Sequence, residues 1–286
     1  MIRPLMNSEH IATQKLIKID GLLSQDEKFF REGDKVVCLA NSKSNPLGKS
    51  AGSGGISSIQ TFLKRKPKLY KLLVDILAPV CTTNKYNSTL RRLLCEQSSS
   101  KVVINYGSGP CILMNRKDII NIDIFPFPAV DIVAGVNVPL RSNSVDLIIS
   151  NAVLEHVVDP RLMVEEIHRL LKPGGKAFVY VPFMQPEHAA PSDFRRWTKN
   201  GGICLLGQLR LVESGVGAGP TSSMLWIMQH WLAMLISFGN KKIYSTAYII
   251  IMILTFPLKY IDKVIPDAII DETQIASGYY FVASKE

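Results

Sequence analysis

A glycine turn with a carboxylate close behind it is the pattern in this chain that most clearly suits the binding of a nucleoside. The apolar stretch KVVINYGSGP breaks into Gly107, Ser108 and Gly109, and Asp123 ends the next apolar run. Glycines let the main chain approach a ligand closely, and a carboxylate at a strand end can accept hydrogen bonds from ribose hydroxyls. The alternative is structural: an ordinary strand-ending turn, with Asp123 capping the turn before FPFP.

The spacing disfavours a dinucleotide. The dinucleotide-binding fingerprint needs a third glycine where this chain has Ile112, and its acid lies about 20 residues on, whereas Asp123 follows Gly109 by 14. Only the segment PCILMNRK separates the turn from the next strand, so the first crossover is short. A smaller nucleoside therefore fits the pattern better than a molecule with a pyrophosphate.

The elements that position these residues are short strands alternating with helices. Apolar runs such as KVVIN, IINIDI, VDIVAG, VDLIIS, KAFVYVP and LRLVES follow one another from Lys101. This alternation predicts a mostly parallel sheet with helices on both faces. One helix is predicted with its cap: Asp159 at the N-cap, Pro160 at the first position, and a glycine pair at its end, with the apolar face Met163, Ile167, Leu170 and Leu171.

The ordered motifs INYGSGP, NIDIFPFPAVDIV, VPLRSNSVDLIISNAVLEHVVDP and EIHRLLKPGGKAFVYVPF resemble those of class I S-adenosylmethionine-dependent methyltransferases of the type 11 group. The resemblance runs from about residue 101 to 218. It implies an α/β fold with a Rossmann-like, seven-stranded, mostly parallel sheet whose last strand is antiparallel, and S-adenosylmethionine as cofactor. The chain departs from the family at Asn105, where the family has an acid, and at Cys111, where it usually has a third glycine.

The resemblance also implies roles for individual residues. Gly107 and Gly109 would line the methionine part of the cofactor, Asp123 the ribose, and Asn137 the adenine. Asn105 can accept a hydrogen bond but brings no negative charge. The expected cofactor-binding residues are Asn105, Gly107, Ser108, Gly109, Asp123, Asn137, Ser150 and Asn151.

Methyl transfer is an in-line displacement, so positioning of the acceptor supplies much of the acceleration and a base is optional. If the acceptor is a hydroxyl group, the candidate catalytic residues are His156, His188 and Asp193. The last two lie in the proline-broken loop PFMQPEHAAPSDFRRWT, which is expected to cover the acceptor. Two of these residues have a structural alternative. His156 could be a packed histidine at a helix start, and Asp193 could form a salt bridge with Arg195 or Arg196.

No metal site is predicted. Glu155 and Asp159 are not accompanied by any metal-binding spacing, because the histidines are scattered and no His-x-x-x-His occurs. The five cysteines include no Cys-x-x-Cys pair, which argues against a zinc ribbon and a disulfide framework. A reducing, cytosolic setting fits this cysteine usage.

The flanking segments predict an appendage at each end of the core. Two β-like runs, KLIKIDGLL and DKVVCLA, indicate a small hairpin module, and a Gly- and Ser-rich stretch follows as a linker. The predicted division is a β-rich appendage with its linker at 1–58, leading helices at 59–100, the core at 101–218, an apolar helical insertion at 219–270 and the last strand at 271–286.

The insertion contains two apolar runs, at 224–238 and 243–258, each shorter than the roughly 20 residues that span a bilayer. One interpretation is an interfacial or re-entrant helical hairpin, with Lys241, Lys242, Lys259 and Lys263 towards anionic lipid. The other is a helical lid that packs its apolar side on the sheet. Here the chain resembles a bacterial subgroup associated with surface polysaccharide and lipid-linked glycan synthesis.

The 286 residues carry a formal net charge of +9, which favours an anionic partner: a phospholipid surface, a phosphorylated substrate or nucleic acid. No RNA-binding module is recognised, so RNA methylation ranks lower, and DNA is not expected as a partner. The expected acceptor is a small molecule, a glycan or a lipid-linked group. Oligomeric state is left open.

The N-terminus lacks the apolar region of a secretory signal, so a cytoplasmic protein is expected, with the inner membrane face as one candidate location. Two other functions stay open. One is a nicotinamide-dependent reductase, which the missing third glycine disfavours. The other is a catalytically degenerate binding module, for which Asn105 and Cys111 are the best argument.

Overall fold

The computed structural model of the chain describes residues 8–25, 28–38, 76–110, 112–188 and 192–286. These residues form one sheet whose strands are β1 Phe29–Glu32, β2 Lys35–Cys38, β3 Val103–Tyr106, β4 Ile120–Asp123, β5 Ile132–Val133, β6 Val145–Asn151, β7 Leu171–Pro182, β8 Arg210–Ala218 and β9 Gly278–Ser284. Their order across the sheet is β1-β2-β5-β4-β3-β6-β7-β9-β8.

The strands from β2 to β7 are parallel, and β9 lies antiparallel between β7 and β8. The Rossmann-like order and the antiparallel last strand agree with the prediction. The count does not, because the described sheet has nine strands rather than seven. The two extra strands are the hairpin β1-β2, which joins the sheet edge through the parallel pairing of β2 with β5.

The N-terminal prediction was wrong for KLIKIDGLL, which lies largely in helix α1, Ser8–Leu22. Its alternating pattern suggested a strand, but Ile19 and Leu22 are buried three positions apart, and both pack into the core cluster on one face of the sheet. DKVVCLA was predicted correctly over β2, whose hairpin partner is β1. The predicted linker, residues 59–75 of the leading helices and Cys111 lie outside the described residues.

Helices cover both faces of the sheet. On one face α2, Asn84–Cys95, packs Tyr86 against Phe178 and Tyr280, with ring centroids 5.1 Å and 6.0 Å away. On the other lies α3, Pro160–Leu170, whose predicted cap is confirmed because Asp159 accepts from the Arg161 amide. Met163, Ile167 and Leu170 are buried as predicted, but the helix ends at Leu170, before the predicted glycine pair. Leu171 and both glycines lie in β7. A short helix, α4 Lys199–Leu205, precedes β8.

Between β8 and β9 the chain forms α5, Pro220–Ser237, α6, Lys241–Thr255, a 3₁₀ turn at Phe256–Tyr260, α7, Ile261–Val264, and α8, Asp267–Asp271. Helices α5 and α6 pack on each other across a tight turn at Phe238 and Gly239, both of which have positive φ. We call α5 and α6 together the apolar hairpin. The division of the chain into domains stays a prediction.

The apolar hairpin has an unusual distribution of side chains. The buried residues of α5 are mainly small or polar, and α6 buries Ala247 alone among its residues. Large apolar side chains lie on the outside, with Phe238 96% and Leu254 73% exposed. The other exposed apolar residues of these two helices are Met224, Ile227, Trp231, Met234, Leu235, Ile236, Ile243, Ile249, Ile250 and Ile253.

Candidate functional site

The glycine turn follows β3 and lies against the end of β4. The amides of Gly107 and Ser108 both donate to the Ile122 carbonyl, at 2.8 and 3.0 Å. The Gly109 amide donates to Asp123 Oδ2 at 2.7 Å. The structure therefore brings the predicted turn and the predicted carboxylate into direct contact.

The two glycines of the turn have different surroundings. Both have positive φ, +77° at Gly107 and +59° at Gly109, a conformation that favours glycine. A Cβ added to Gly107 would lie 2.3 Å from Val153 Cγ2, whereas one added to Gly109 would meet none of the described residues within 4 Å. Gly107 is thus required for packing against Val153, and Gly109 is the glycine whose bare main chain faces open space.

Asp123 holds the turn through both carboxylate oxygens. Besides the bond from Gly109, its Oδ1 accepts from the Phe125 amide at 2.9 Å. The capping role that was the structural alternative for Asp123 is therefore present. The residue expected to bind ribose therefore also orders the main chain on both sides of the turn.

Asn105 is buried in β3 beside Asn121, its partner in β4. Its amide nitrogen donates to Asn121 Oδ1 at 3.2 Å, and Asn121 in turn donates to the Ala129 carbonyl at 3.0 Å. The amide at this position thus joins a neutral polar chain between the strands. A carboxylate in the place of Asn105 has no hydrogen to donate to Asn121 Oδ1, so the amide at this position matches its partner in β4.

The remaining predicted cofactor residues differ in exposure. Asn137 is exposed in the loop after β5, and Asn151 is exposed at the end of β6. Ser150 is buried, and its hydroxyl has no hydrogen-bond partner among the described residues. Ser108 is half-buried, and its hydroxyl donates to the neighbouring Gly109 carbonyl at 3.3 Å.

Tyr106 is a site residue that sequence reasoning missed. Its hydroxyl donates towards the carbonyls of Gly135 and Val136, at 2.8 and 2.5 Å, which ties the loop carrying Asn137 to the glycine turn. Burial raises the pKa of Tyr106 well above its ordinary range, so the phenol stays protonated and keeps donating. Nothing in the sequence distinguishes this tyrosine from one that only packs.

Glu155, His156 and His188 come together beyond the ends of β6 and β7. Glu155 is fully buried, and neither of its carboxylate oxygens has a hydrogen-bond partner in the part of the chain that the structure describes. Its Oε1 lies 3.8 Å from His156 Nε2 and 3.7 Å from His188 Nε2. We call these three residues the Glu-His-His cluster. No sequence signal pointed to it, because His156 and His188 are far apart along the chain.

The pKa of His188 reflects opposing effects. Burial lowers it, but Glu155, the Pro186 carbonyl and Asp193 together outweigh that effect, so the pKa of His188 is raised. Asp159, the other acid considered in the sequence, does not join Glu155, because it caps α3 and pairs with Arg161.

Asp193 forms the salt bridge that was its structural alternative. Its side chain is almost fully buried and receives both terminal nitrogens of Arg196, at 2.5 and 2.6 Å, together with the His188 amide at 2.8 Å. Burial raises the pKa of Asp193, but these hydrogen bonds outweigh it and lower the pKa overall. Asp193 therefore orders the loop around His188, and its ion pair makes it a weak base.

The site loop also touches the apolar hairpin. The ring of Trp226 on α5 lies with its centroid 5.4 Å from that of His188, and the two planes are inclined by 36°. The glycine turn, Asp123, the cluster and Asp193 all follow carboxyl ends of parallel strands, the edge where α/β sheets bind ligands. This edge can hold a nucleoside at one end and an acceptor beside the two histidines.

Residues 117–179 match the family model described as a methyltransferase domain. The match covers under a quarter of the chain and includes Asp123, Ser150, Asn151 and His156. It supports a methyltransferase that uses S-adenosylmethionine. No curated protein matches the chain at a significant level.

Solved methyltransferase structures resemble the chain at low identity. Phosphoethanolamine N-methyltransferase 2 of Haemonchus contortus, in complex with S-adenosylmethionine, is 13% identical over 71% of this chain and 52% of its own, with a TM-score of 0.45. A Thermotoga maritima S-adenosylmethionine-dependent methyltransferase is 13% identical over 80% of this chain and 100% of its own, at 0.46. The chain spans about half the length of the first of these, and TM-scores below 0.5 establish no function.

Proposed function

We propose that this chain is an S-adenosylmethionine-dependent methyltransferase that works at a membrane surface and methylates a lipid or lipid-linked glycan. The observation that carries the cofactor assignment is the hydrogen bond from Gly109 to Asp123. It places the open main chain of the turn and a carboxylate at one point of the ligand-binding edge. The match to a methyltransferase domain begins just ahead of that carboxylate.

Different residues at this edge would contact different parts of the cofactor. Asp123 would accept hydrogen bonds from the ribose hydroxyls, Gly109 would lie beside the methionine portion, and Asn137 would contact adenine from the loop that Tyr106 holds. Asn105 leaves this end of the site neutral. The bound cofactor supplies an electrophilic methyl group on a sulfonium sulfur, and S-adenosylhomocysteine leaves with the electron pair of the broken carbon–sulfur bond.

The protein's own contribution to the reaction is positioning and proton handling. The Asp193–Arg196 pair holds the part of the loop after β7 that carries His188, so an acceptor beneath it would be fixed at attack distance. Of the three predicted catalytic residues, His156 and His188 remain as groups that could receive a proton from an acceptor hydroxyl. Glu155 lies beside both and would stabilise the positive charge that the proton brings.

The side-chain distribution in the apolar hairpin supports the membrane part of the proposal. Ser222, Ser223, Gln229 and Ala233 are buried in α5, while methionine, isoleucine and tryptophan side chains are exposed. Small and polar residues between helices, with large apolar ones outside, are the arrangement of helices packed in lipid. Gln229 donates to Thr255 of α6 at 2.8 Å, the kind of interhelical hydrogen bond seen there. A lid that packs its apolar side on the sheet would show the reverse.

Length and charge agree with contact between the hairpin and a membrane, although the helical stretch is longer than the apolar run predicted from the sequence. The helical stretch Lys241–Val264 is long and apolar enough to cross a membrane by length and composition, and 6% of its most apolar window is buried. Lys241 and Lys242 are exposed at its start, where they could meet anionic headgroups. Lys259, also expected to face lipid, is instead buried and donates to the Ala78 carbonyl at 2.8 Å, so it cannot take that role.

The contact between His188 and Trp226 supports a lipid-linked acceptor. Because the hairpin meets the site loop at this point, an acceptor anchored in the lipid beside α5 would lie close to His156 and His188. A methyltransferase for freely diffusing small molecules has no need of such a surface. The glycan interpretation adds only that the lipid could carry sugar hydroxyls as methyl acceptors.

Cofactor binding is tested by calorimetric titration of S-adenosylmethionine into the wild type, Asp123→Asn and Asp118→Asn. The amide introduced by Asp123→Asn keeps one oxygen for the turn but removes the charge, so affinity should fall about tenfold or more. Asp118 pairs with Arg116 before β4 and serves as the matched control, with affinity unchanged. Absence of heat and of a thermal shift at millimolar cofactor in the wild type would instead support the degenerate binding module.

The acceptor class is tested separately. Flotation with vesicles of phosphatidylcholine, with and without anionic phosphatidylglycerol, would compare the wild type with Ile250→Glu, Leu254→Glu and the control Ile17→Glu, an exposed apolar residue on α1. Each hairpin variant should lose about tenfold or more of its membrane partition. Incubation of methyl-labelled cofactor with membrane extracts should then label lipid or lipid-linked glycan; label only in soluble compounds or RNA overturns the acceptor assignment.

A further inference from the structure

We propose that Glu155, His156 and His188 form a binding site for a divalent transition-metal ion such as Zn²⁺. One carboxylate and two imidazoles are a common ligand set for such ions, with further positions left for water or substrate. The proposal goes beyond the methyltransferase function and does not depend on it; with an ion bound to both Nε2 atoms, the histidines would not receive the acceptor proton. It departs from the sequence-based prediction of no metal, which rested on the absence of a recognisable spacing.

Glu155 is the first observation that points to a ligand. Its side chain is completely buried, with both oxygens unpartnered among the described residues. An unpaired buried carboxylate is costly, so such groups are normally paired, protonated or bound to a metal. A cation between Glu155 and the two histidines would remove that cost.

His156 is oriented as a metal-binding histidine is. His156 Nδ1 lies 2.6 Å from the Ser192 carbonyl, which can only accept, so the proton is on Nδ1 and the Nε2 lone pair faces Glu155. His188 Nδ1 lies 3.2 Å from the Pro186 carbonyl, which accepts, and 3.3 Å from an Arg196 nitrogen, which donates, so these two contacts favour opposite tautomers. A backbone carbonyl that receives one ring nitrogen and leaves the other for the ion is the usual support of a metal-binding histidine.

The distances are close to those that an ion requires. Ligand atoms about 2.0–2.1 Å from a tetrahedral Zn²⁺ lie about 3.4 Å from one another. The two separations from Glu155 Oε1 are 3.7 and 3.8 Å, so each of these two pairs would close by a few tenths of an ångström around an ion. All three ligand atoms lie within 4.8 Å of one another.

A metal ion between Glu155 and the histidines would compete with a proton, and neighbouring charges affect this competition. Arg196 lies 3.3 Å from His188 Nδ1, but its charge is compensated by two hydrogen bonds to Asp193. The competing occupant is a proton, since a protonated His188 would pair with Glu155 across the same 3.7 Å. If a metal ion is the occupant, the protein should take up metal; if a proton is the occupant, it should not.

The test is titration of the purified full-length protein, stripped with chelator, with Zn²⁺ alone. We expect one equivalent to bind, and Glu155→Gln, His156→Asn and His188→Asn each to weaken binding about tenfold or more. His168→Asn, a histidine on α3 outside the cluster, is the matched control and should change affinity less than about twofold. Unchanged Zn²⁺ binding in Glu155→Gln and His188→Asn overturns the proposal, as does absence of binding in the wild type.

A second measurement needs no variant. Diethyl pyrocarbonate modifies accessible histidines, and mass spectrometry reports each site. Bound Zn²⁺ should protect His156 and His188 but leave His168 as reactive as before, whereas equal modification with and without metal points to the proton as the occupant and overturns the proposal. Because neither readout involves S-adenosylmethionine, failure of the methyltransferase proposal would leave this result intact.

Discussion

The sheet core and the apolar hairpin place their apolar side chains in opposite ways. In the core, Phe178 is fully buried against Tyr86 and Tyr280. In the hairpin, the buried positions are serine, alanine and glutamine apart from Leu225, and Phe238 and Leu254 are exposed. The core thus buries its large apolar side chains away from water, as expected for a protein region surrounded by water. The hairpin exposes its large apolar side chains, and that difference is the basis for the membrane proposal.

The largest contrast should come from removing one aromatic ring in each region. Phe178→Ala leaves a cavity in the core and should lower the free energy of unfolding by about 3–5 kcal/mol. Phe238→Ala removes an exposed ring and should change it by no more than about 0.5 kcal/mol. Urea unfolding of the two variants measures both values. A large loss at Phe238 would mean that the hairpin's apolar surface is covered within the folded protein.

The next largest effect is expected from substituting the two glycines of the turn, one of which is closely packed. Gly107→Ala puts a methyl group into Val153 at positive φ and should cost about 2–4 kcal/mol. Gly109→Ala keeps the positive φ but meets open space, so about 1 kcal/mol is expected. Chemical denaturation of both variants would show whether the turn has one packing glycine and one ligand-facing glycine; equal losses would contradict that distinction.

Within the insertion, a buried carboxylate on α7 holds the start of the apolar hairpin. Asp262 accepts from the amides of Thr221 and Ser222, each at 2.9 Å, at the start of α5. Asp262→Ala leaves these amides unpaired and should cost about 1.5–3 kcal/mol. Hydrogen exchange should show the opening confined to 220–264 while β7 and β9 stay protected. Uniform loss of protection would mean that the two regions unfold together.

The smallest expected effect is on the pH dependence of the free energy of unfolding, and it comes from a residue of the core. Burial raises the pKa of Asp146, but hydrogen bonds from Lys172, the Val102 amide and Lys101 outweigh it, so its pKa is lowered on folding. Its contribution is therefore present above the ordinary aspartate pKa and lost as the pH falls through the folded value. Asp146→Asn should flatten the acid limb of unfolding free energy against pH, whereas an unchanged limb would contradict the assignment.

Much of the core could be predicted because its signals are local. The capped helix α3, strand β8 and the last strand follow from spacing, an N-cap and β-branched runs. The strand at KLIKIDGLL was wrong, because a short alternating run also allows burial at Ile19 and Leu22 in a helix. That β2 extends the sheet could not be predicted, because its pairing depends on the edge that β5 offers.

Some residues of the candidate site could likewise be predicted from the sequence, and others could not. Gly109 and Asp123 could be paired from the sequence because consecutive parallel strands end at the same edge. Glu155 could not be recognised, because its importance arises from burial without a partner among the described residues and from a histidine on another loop. Tyr106 and Arg196 likewise matter only through what they contact.

The order of residues along the chain was enough to specify the alternation of strands and helices, the glycine turn with its carboxylate, and two apolar helices near the C-terminus. These features depend on neighbouring residues, whose spacing can be read directly. The folded arrangement was needed to show which glycine faces open space, which side of the apolar hairpin is exposed, and that Glu155 meets two histidines. Burial and convergence of distant residues are set by packing, which no local pattern specifies.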